Sequence, residues 1–206
     1  MKLTSLTVGS IGTNCYMIYQ EDSKAAVVID PSDEAELVEA RIAALGLEPR
    51  AILLTHGHFD HGGDLDRLLA RWPVPVYCHP ADRALPSWLT HGVRFDRELA
   101  EGQSLDFQGM AFTVLHTPGH TPGSVCFLWR EGGVLFTGDT LFRGSCGRTD
   151  LPGGSWRQMA ASIRRLAALP GDWTVCPGHG DPSSLAAERE ENPYVEMALR
   201  EGSPFR

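Results

Sequence analysis

Long apolar runs are missing from this sequence. Nowhere do apolar residues extend to the roughly eighteen that a membrane-spanning helix requires. The N-terminus, MKLTSLTVGS, also lacks a charged stretch followed by an apolar core, so no secretory signal is visible. The expectation is a chain with no membrane partner and, by default, a cytoplasmic location. Positive charge is scarce as well. The 18 Lys and Arg are outnumbered by 26 Asp and Glu, the net charge is −8, and the arginines are scattered. A surface for long nucleic acid needs clustered cations against phosphates, so none is expected. The cysteines Cys15, Cys78, Cys126, Cys146 and Cys176 form no C-x-x-C pair, and their number is odd. Most sit in apolar, strand-like segments, as small buried thiols do in a reducing compartment; Cys146 lies among glycines instead. G-x-S-x-G and the phosphate-binding glycine loop are absent too, which removes two common catalytic frameworks.

What is there suits one globular domain. A chain of 206 residues buries roughly 70–75% of its extended surface, enough for a sizeable core without disulfides. No linker, repeat or low-complexity run divides it, so a single domain over 1–206 is expected. Short strand-like runs alternate with helical ones. KLTSLTV and NCYMIYQ read as paired strands, AAVVID and PRAILLT as buried strands, and SLDFQGMAFTVLH as a hairpin near Gly109. DEAELVEARIAALG and SWRQMAASIRRLAAL carry the helical apolar period, and the first ends at Gly46. The segment from Leu185 to Arg200 reads as helix broken at Asn192-Pro193. Strand groups with interspersed helices favour a mixed α/β domain of layered sheets.

The chemistry is concentrated in THGHFDHGGD, Thr55 to Asp64, where three histidines fall within six residues. His56 and His58 follow a strand, and residues i and i+2 of extended chain point the same way. Asp60 and His61 follow after a turn eased by Gly57, Gly62 and Gly63. Imidazoles and carboxylates suit zinc, iron or manganese, and a bound metal resolves the repulsion among crowded histidines by keeping them neutral. Three later segments have the same form, a small-residue loop at a strand end. They carry His120 (with His116 four residues earlier), Asp139 and His179. His79 and His91 read as turn or surface residues, and His116 as a residue behind or beside the site. Asp30, ahead of Pro31 at a strand end, is a candidate anchor for the motif loop or a plain turn acid. Asp64 reads as a cap for the next helix.

With these residues in place, the sequence resembles the metallo-β-lactamase superfamily. The H-x-H-x-D-H motif stands as His56-Gly57-His58-Phe59-Asp60-His61, followed by TPGHTPGS, FTGDTLF and PGHGDP. The resemblance implies a four-layer αββα sandwich with the metal site at one edge between the two sheets. It implies two divalent ions, zinc first, with iron or manganese as alternatives. One would take His56, His58 and His120, the other Asp60, His61 and His179, and Asp139 would bridge them. Within the superfamily, GDTLF and GSCGRTDLPGG are most similar to the glyoxalase II (hydroxyacylglutathione hydrolase) branch. Only about 25 residues follow His179, so the C-terminal helical domain that completes the glutathione pocket in that branch is not expected. Arg148, in the glycine-rich loop, could receive a substrate carboxylate by a bidentate contact.

The implied activity is a binuclear, metal-dependent thioesterase acting on an S-lactoylglutathione-like small molecule. A metal-bridging hydroxide would attack the carbonyl, with Asp139 bridging and Asp60 orienting the hydroxide. The thiolate leaves readily, so no strong general acid is required. The main alternative is a mononuclear-iron persulfide dioxygenase, a group of this fold that shares the Cys-Gly-Arg-Thr-Asp segment (Cys146 to Asp150) and would use His56, His120 and Asp139. A non-catalytic, metal-stabilised binding module is a third reading. Seven candidate ligands argue against it, because structural zinc sites close with four. Oligomeric state stays open.

Overall fold

The computed structural model describes residues 1–201, so the last positions of the expected 1–206 domain lie outside the described residues. The first half runs β1 (Lys2–Val8), β2 (Thr13–Tyr19), β3 (Ala25–Ile29), α1 (Ala35–Leu45), β4 (Glu48–Leu53), α2 (Phe59–Gly62), α3 (Leu65–Arg71), β5 (Val76–Cys78), α4 (Ser87–Thr90) and β6 (Arg97–Glu98). The second half runs β7 (Ser104–Phe107), β8 (Met110–His116), β9 (Val125–Trp129), β10 (Val134–Gly138), α5 (Trp156–Ala167), β11 (Thr174–Pro177), β12 (Ser183–Ser184), α6 (Leu185–Glu191) and α7 (Pro193–Glu201). Each half forms one sheet of six strands, with the strands side by side in chain order.

Connection length decides strand direction. Tight turns join β1 to β2 and β2 to β3, and these pairs are antiparallel. A helix-bearing crossover separates β3 from β4, β4 from β5 and β10 from β11, and these pairs are parallel. The crossovers place helices on the outer face of each sheet. In β3, Ala25, Val27 and Ile29 face a core shared with Phe112, Phe127 and Phe136 of the second sheet. Ala26 and Val28, on the opposite face, pack with Val38 and Ile42 of α1 and Leu68 of α3. In β9, Val125, Phe127 and Trp129 face the shared core, while Cys126 and Leu128 meet Met159 and Ile163 of α5. Strands covered on both faces must be apolar at every position, which is why these segments read as unbroken hydrophobic runs. The result is helix, sheet, sheet, helix, as expected.

The helix ends follow their sequence signals. Gly46 takes the left-handed conformation (φ 63°) that closes α1. Ser155 accepts a hydrogen bond from Gln158 N at the start of α5. The break at Asn192-Pro193 has a cause: Asn192 Oδ1 accepts from Tyr194 N and Val195 N, capping α7, and Pro193 sits where no N–H is needed. Asp64 departs from expectation. It holds the N-cap position of α3 but makes no capping bond, because at φ −117°, ψ 31° it lacks the extended backbone that aims a side chain at the first turn. Among the described residues, no helix is long and apolar enough to cross a membrane.

Candidate metal centre

Every motif histidine and aspartate sits just beyond a strand end, at one edge of the two sheets. The chain leaves β4 and passes directly through His56 and His58. Asp60 and His61 then lie on α2, a single helical turn where a loop was expected. His120 follows β8, Asp139 follows β10, and His179 follows β11. All seven converge. His56 Nε2 and His120 Nε2 each lie 3.0 Å from His58 Nδ1. His61 Nε2 is 3.4 Å from both Asp60 Oδ2 and Asp139 Oδ1. His179 Nε2 is 3.3 Å from Asp60 Oδ2 and 3.6 Å from Asp139 Oδ2, which is 3.4 Å from His120 Nε2.

The outer nitrogens fix the tautomers. His120 Nδ1 donates to the Arg148 carbonyl at 2.8 Å, and His179 Nδ1 to the Gly12 carbonyl at 3.3 Å. His56 Nδ1 lies 3.2 Å from Thr55 Oγ1, whose own proton goes to Asp30. His61 Nδ1 lies 2.9 Å from Asp30 Oδ2, an ion-pair contact too bent for a straight hydrogen bond. His56, His120 and His179 therefore each turn an unprotonated Nε2 inward, and outer partners of this kind orient metal-ligating histidines; His58 instead turns Nδ1 inward and buries Nε2 without a hydrogen-bond partner. His56 Nε2, His58 Nδ1 and His120 Nε2 thus crowd together, and a proton on His58 Nδ1 would leave its buried Nε2 without a donor and could not serve both neighbours in full. His61 Nε2 and Asp139 Oδ1 are buried without a hydrogen-bond partner. A cation relieves both conflicts. For metal–nitrogen bonds of about 2.05 Å, tetrahedral ligands stand about 3.3 Å apart. The observed 3.0–3.6 Å spacings bracket that value. The residues fit divalent ions in two groups, His56/His58/His120 and Asp60/His61/His179, and His56/His61/Asp139 is equally close.

Electrostatics separate the ligands. Burial, with the neighbouring histidines, holds His56 well below the ordinary histidine range and pushes His58 down to about 4. Burial also opposes charge on His61, yet Asp30, Asp60 and Asp139 outweigh it and raise its pKa well above that range. Against the same burial, His120 and His61 hold the Asp139 carboxyl below the usual carboxylate range, and His61 and His179 do so for Asp60.

Asp30 anchors the motif: its carboxylate accepts from Thr55 N at 2.8 Å and Thr55 Oγ1 at 2.7 Å as well as meeting His61. Arg148, expected to offer its side chain to a substrate carboxylate, lines the opening above the cluster. Its side chain is exposed and already forms a bidentate pair with Asp150, at 2.7 and 2.8 Å, so only its carbonyl serves the cluster. His79 and His116 stay outside and stack on each other at 4.2 Å, while His91 stacks on Phe59. Sequence reasoning missed Asp82. Buried beneath the site, it accepts from Gly57 N (2.8 Å), Gly123 N (2.7 Å) and Thr121 Oγ1 (2.9 Å), joining the first ligand loop to the His120 loop. A lone acid in the weakly patterned 80–101 stretch gave no signal for this. Asn14 was missed too. Its side chain donates to the carbonyls of Pro177 and Gly180, tying the His179 loop to the first sheet.

The family model described as the metallo-beta-lactamase superfamily matches residues 8–179. The hydroxyacylglutathione hydrolase GloC of Haemophilus influenzae is 37% identical over 95% of this chain and 98% of its own length. Among solved structures, the BLEG-1 B3 metallo-beta-lactamase superposes with a TM-score of 0.87 at 36% identity, covering 94% of this chain and 99% of that one. TTHA1623 in a di-iron-bound form gives 0.79 at 40% identity, over 93% and 99% of the two chains. ETHE1 from Myxococcus xanthus gives 0.80 at 28% identity, over 100% and 93%.

Proposed function

The chain belongs to the metallo-beta-lactamase superfamily, and on that premise we propose that it is a binuclear metallohydrolase that cleaves a thioester. The observation that carries the proposal is the position of Asp139. Its Oδ1 faces His61 of one ligand group, and its Oδ2 faces His120 of the other. Each group then has three protein ligands of its own and shares Asp139, and five of the seven residues line an opening to solvent, as a catalytic rather than a structural site requires. When bound, two divalent ions would lower the pKa of a water toward neutrality and polarise the substrate carbonyl. The chain's own residues do the positioning. Asp60 and Asp139 line the opening, where their carboxylates would accept a hydrogen bond from an attacking water, and the carbonyls of Arg148 and Gly12 keep His120 and His179 aimed. Phe59, Leu89, Phe142 and Leu151 wall the opening and thin the water around it. The reaction consumes one water. Its oxygen joins the acyl carbon, the C–S bond breaks, the thiolate leaves with the bonding pair, and the water's protons pass to the thiolate and to solvent as the acid ionises.

A thioester is favoured because a thiolate leaves without a general acid, and among the described residues the opening is lined by no carboxylate other than the candidate ligands Asp60 and Asp139. The GloC relative, a hydroxyacylglutathione hydrolase by name and matched over 98% of its length, supports the same bond. The rival iron set, His56, His120 and Asp139, would leave Asp60, His61 and His179 unused despite their convergence. The test is to count metals per chain and assay the same preparation with S-lactoylglutathione and, under oxygen, with glutathione persulfide. Two metals and thioester cleavage without oxygen uptake are expected. In Asp139→Asn, metal content should fall and turnover should drop at least about a hundredfold. One iron per chain with oxygen uptake and no thioester cleavage would overturn the proposal, as would full metal and full turnover in the variant.

A further inference from the structure

The opening above the candidate ligands is a mouth of about 470 Å³, within the usual range for small-molecule sites. Its floor is the ligand cluster and its walls are Ile11, Phe59, Leu89, Phe142 and Leu151. Ile11 stands 55% exposed at the rim, an apolar surface a ligand could cover. Arg148 is the only lysine or arginine lining this mouth among the described residues. One edge of its guanidinium is engaged, with Nε donating to Asp150 Oδ1 and a terminal nitrogen to Asp150 Oδ2, a planar fork that balances its charge.

We propose that the mouth selects thioesters whose thiol arm is uncharged and apolar, and that Asp150 adds to this selection by pairing with Arg148 and neutralising its charge. The inference rests on the thioesterase reading above and adds to it the class of thiol. Glutathione carries two carboxylates and one ammonium, a net negative arm. Walls of this composition give it little to bind, and the one guanidinium at the mouth is already charge-balanced by Asp150. An apolar arm gains from every wall residue. Asp150 acts through Arg148 and is a positioning residue for specificity. The pair is solvent-exposed, with side-chain exposures of 61% and 67%. Exposed ion pairs are weak, so Asp150 contributes modestly and the walls carry most of the selection.

The experiment uses the metal-loaded full chain and two substrates with the same acyl group, S-lactoylglutathione and the lactoyl thioester of benzyl mercaptan. In the wild type, KM for the benzyl arm should be about tenfold lower, the effect of covering a ring's worth of apolar surface. Asp150→Ala should lower KM for S-lactoylglutathione about two- to fivefold with kcat unmoved. Asp150→Glu should restore the wild-type value, and the gain should shrink in Arg148→Ala/Asp150→Ala. A variant that merely disturbed the loop would instead lower kcat for both substrates. The proposal is overturned if the wild type binds the glutathione arm as tightly as the benzyl arm, or if Asp150→Ala fails to lower KM for it. Those outcomes leave the thioesterase reading standing. Failure to cleave either substrate sinks both.

Discussion

Gly178 shows how much the centre depends on a missing side chain. A Cβ there would lie 2.2 Å from Asp139 Oδ1 and 2.9 Å from the His61 ring. The expected result for Gly178→Ala is a displaced Asp139 carboxylate, loss of bound metal and a fall in kcat of about a hundredfold. Far-ultraviolet circular dichroism should be unchanged, since the residue lies beyond the end of β11. Metal analysis decides it: full occupancy in the variant would show that the carboxylate has room to move. Neither Gly178 nor Asp82 could be singled out in the sequence. The importance of each comes from atoms more than twenty residues away along the chain, Asp139 for one and Gly57 and Gly123 for the other. The histidine-rich ligands were legible because their crowding in THGHFDHGGD has no structural purpose of its own. Arg148 was legible as a cation near the site, while its capture by Asp150 depends on loop geometry that spacing does not encode.

At the scale of elements, the ligand loops are held by hydrogen bonds rather than by regular structure. Asp82 is the main tie between two of them, and burial raises its pKa against the three donors that lower it. Asp82→Ala would strand two buried main-chain N–H groups, each worth about 1–3 kcal/mol unpaired, and leave the Thr121 hydroxyl with Ser124 alone. A loss of about 3 kcal/mol or more is expected, with Asp82→Asn falling between because it keeps one acceptor oxygen. Urea unfolding with the metal chelated measures this directly. A loss below about 1 kcal/mol for the alanine variant would mean the loops hold each other without it. The long strands and helices were legible because alternation or a helical period runs through enough residues to register. The stretch from 80 to 98 was not, since its short 3-10 turn, α4 and β6 are each briefer than a period can reveal.

For the molecule as a whole, a metal couples stability to pH. In the metal-free protein His56 and His58 are held below their unfolded values, so they stay neutral in the fold while the unfolded chain protonates. Groups of this kind lose stability as pH falls from the ordinary histidine value of about 6.5 toward about 4. His61 and His179 are raised, and their contribution is already complete below 6.5, so it does not offset that loss. The chelated protein should therefore show a falling Tm between pH 6 and pH 4.5. At neutral pH, saturating metal should raise Tm above the chelated value, by the linkage of binding to folding. A chelator-insensitive Tm at pH 7 would mean the ions contribute nothing to the fold.

The two sheets are built from separate halves of the chain, strands spanning 2–98 in one and 104–184 in the other. Four candidate ligands come from the first half and three from the second. Each ligand group needs both: His56 and His58 wait for His120, and Asp60 and His61 wait for His179. As the chain emerges during synthesis, the first half presents an incomplete set that can close on no ion in its final form. Ion capture is thus a coincidence signal, given only when both halves have folded and met, and the metal content of a preparation counts the chains that finished.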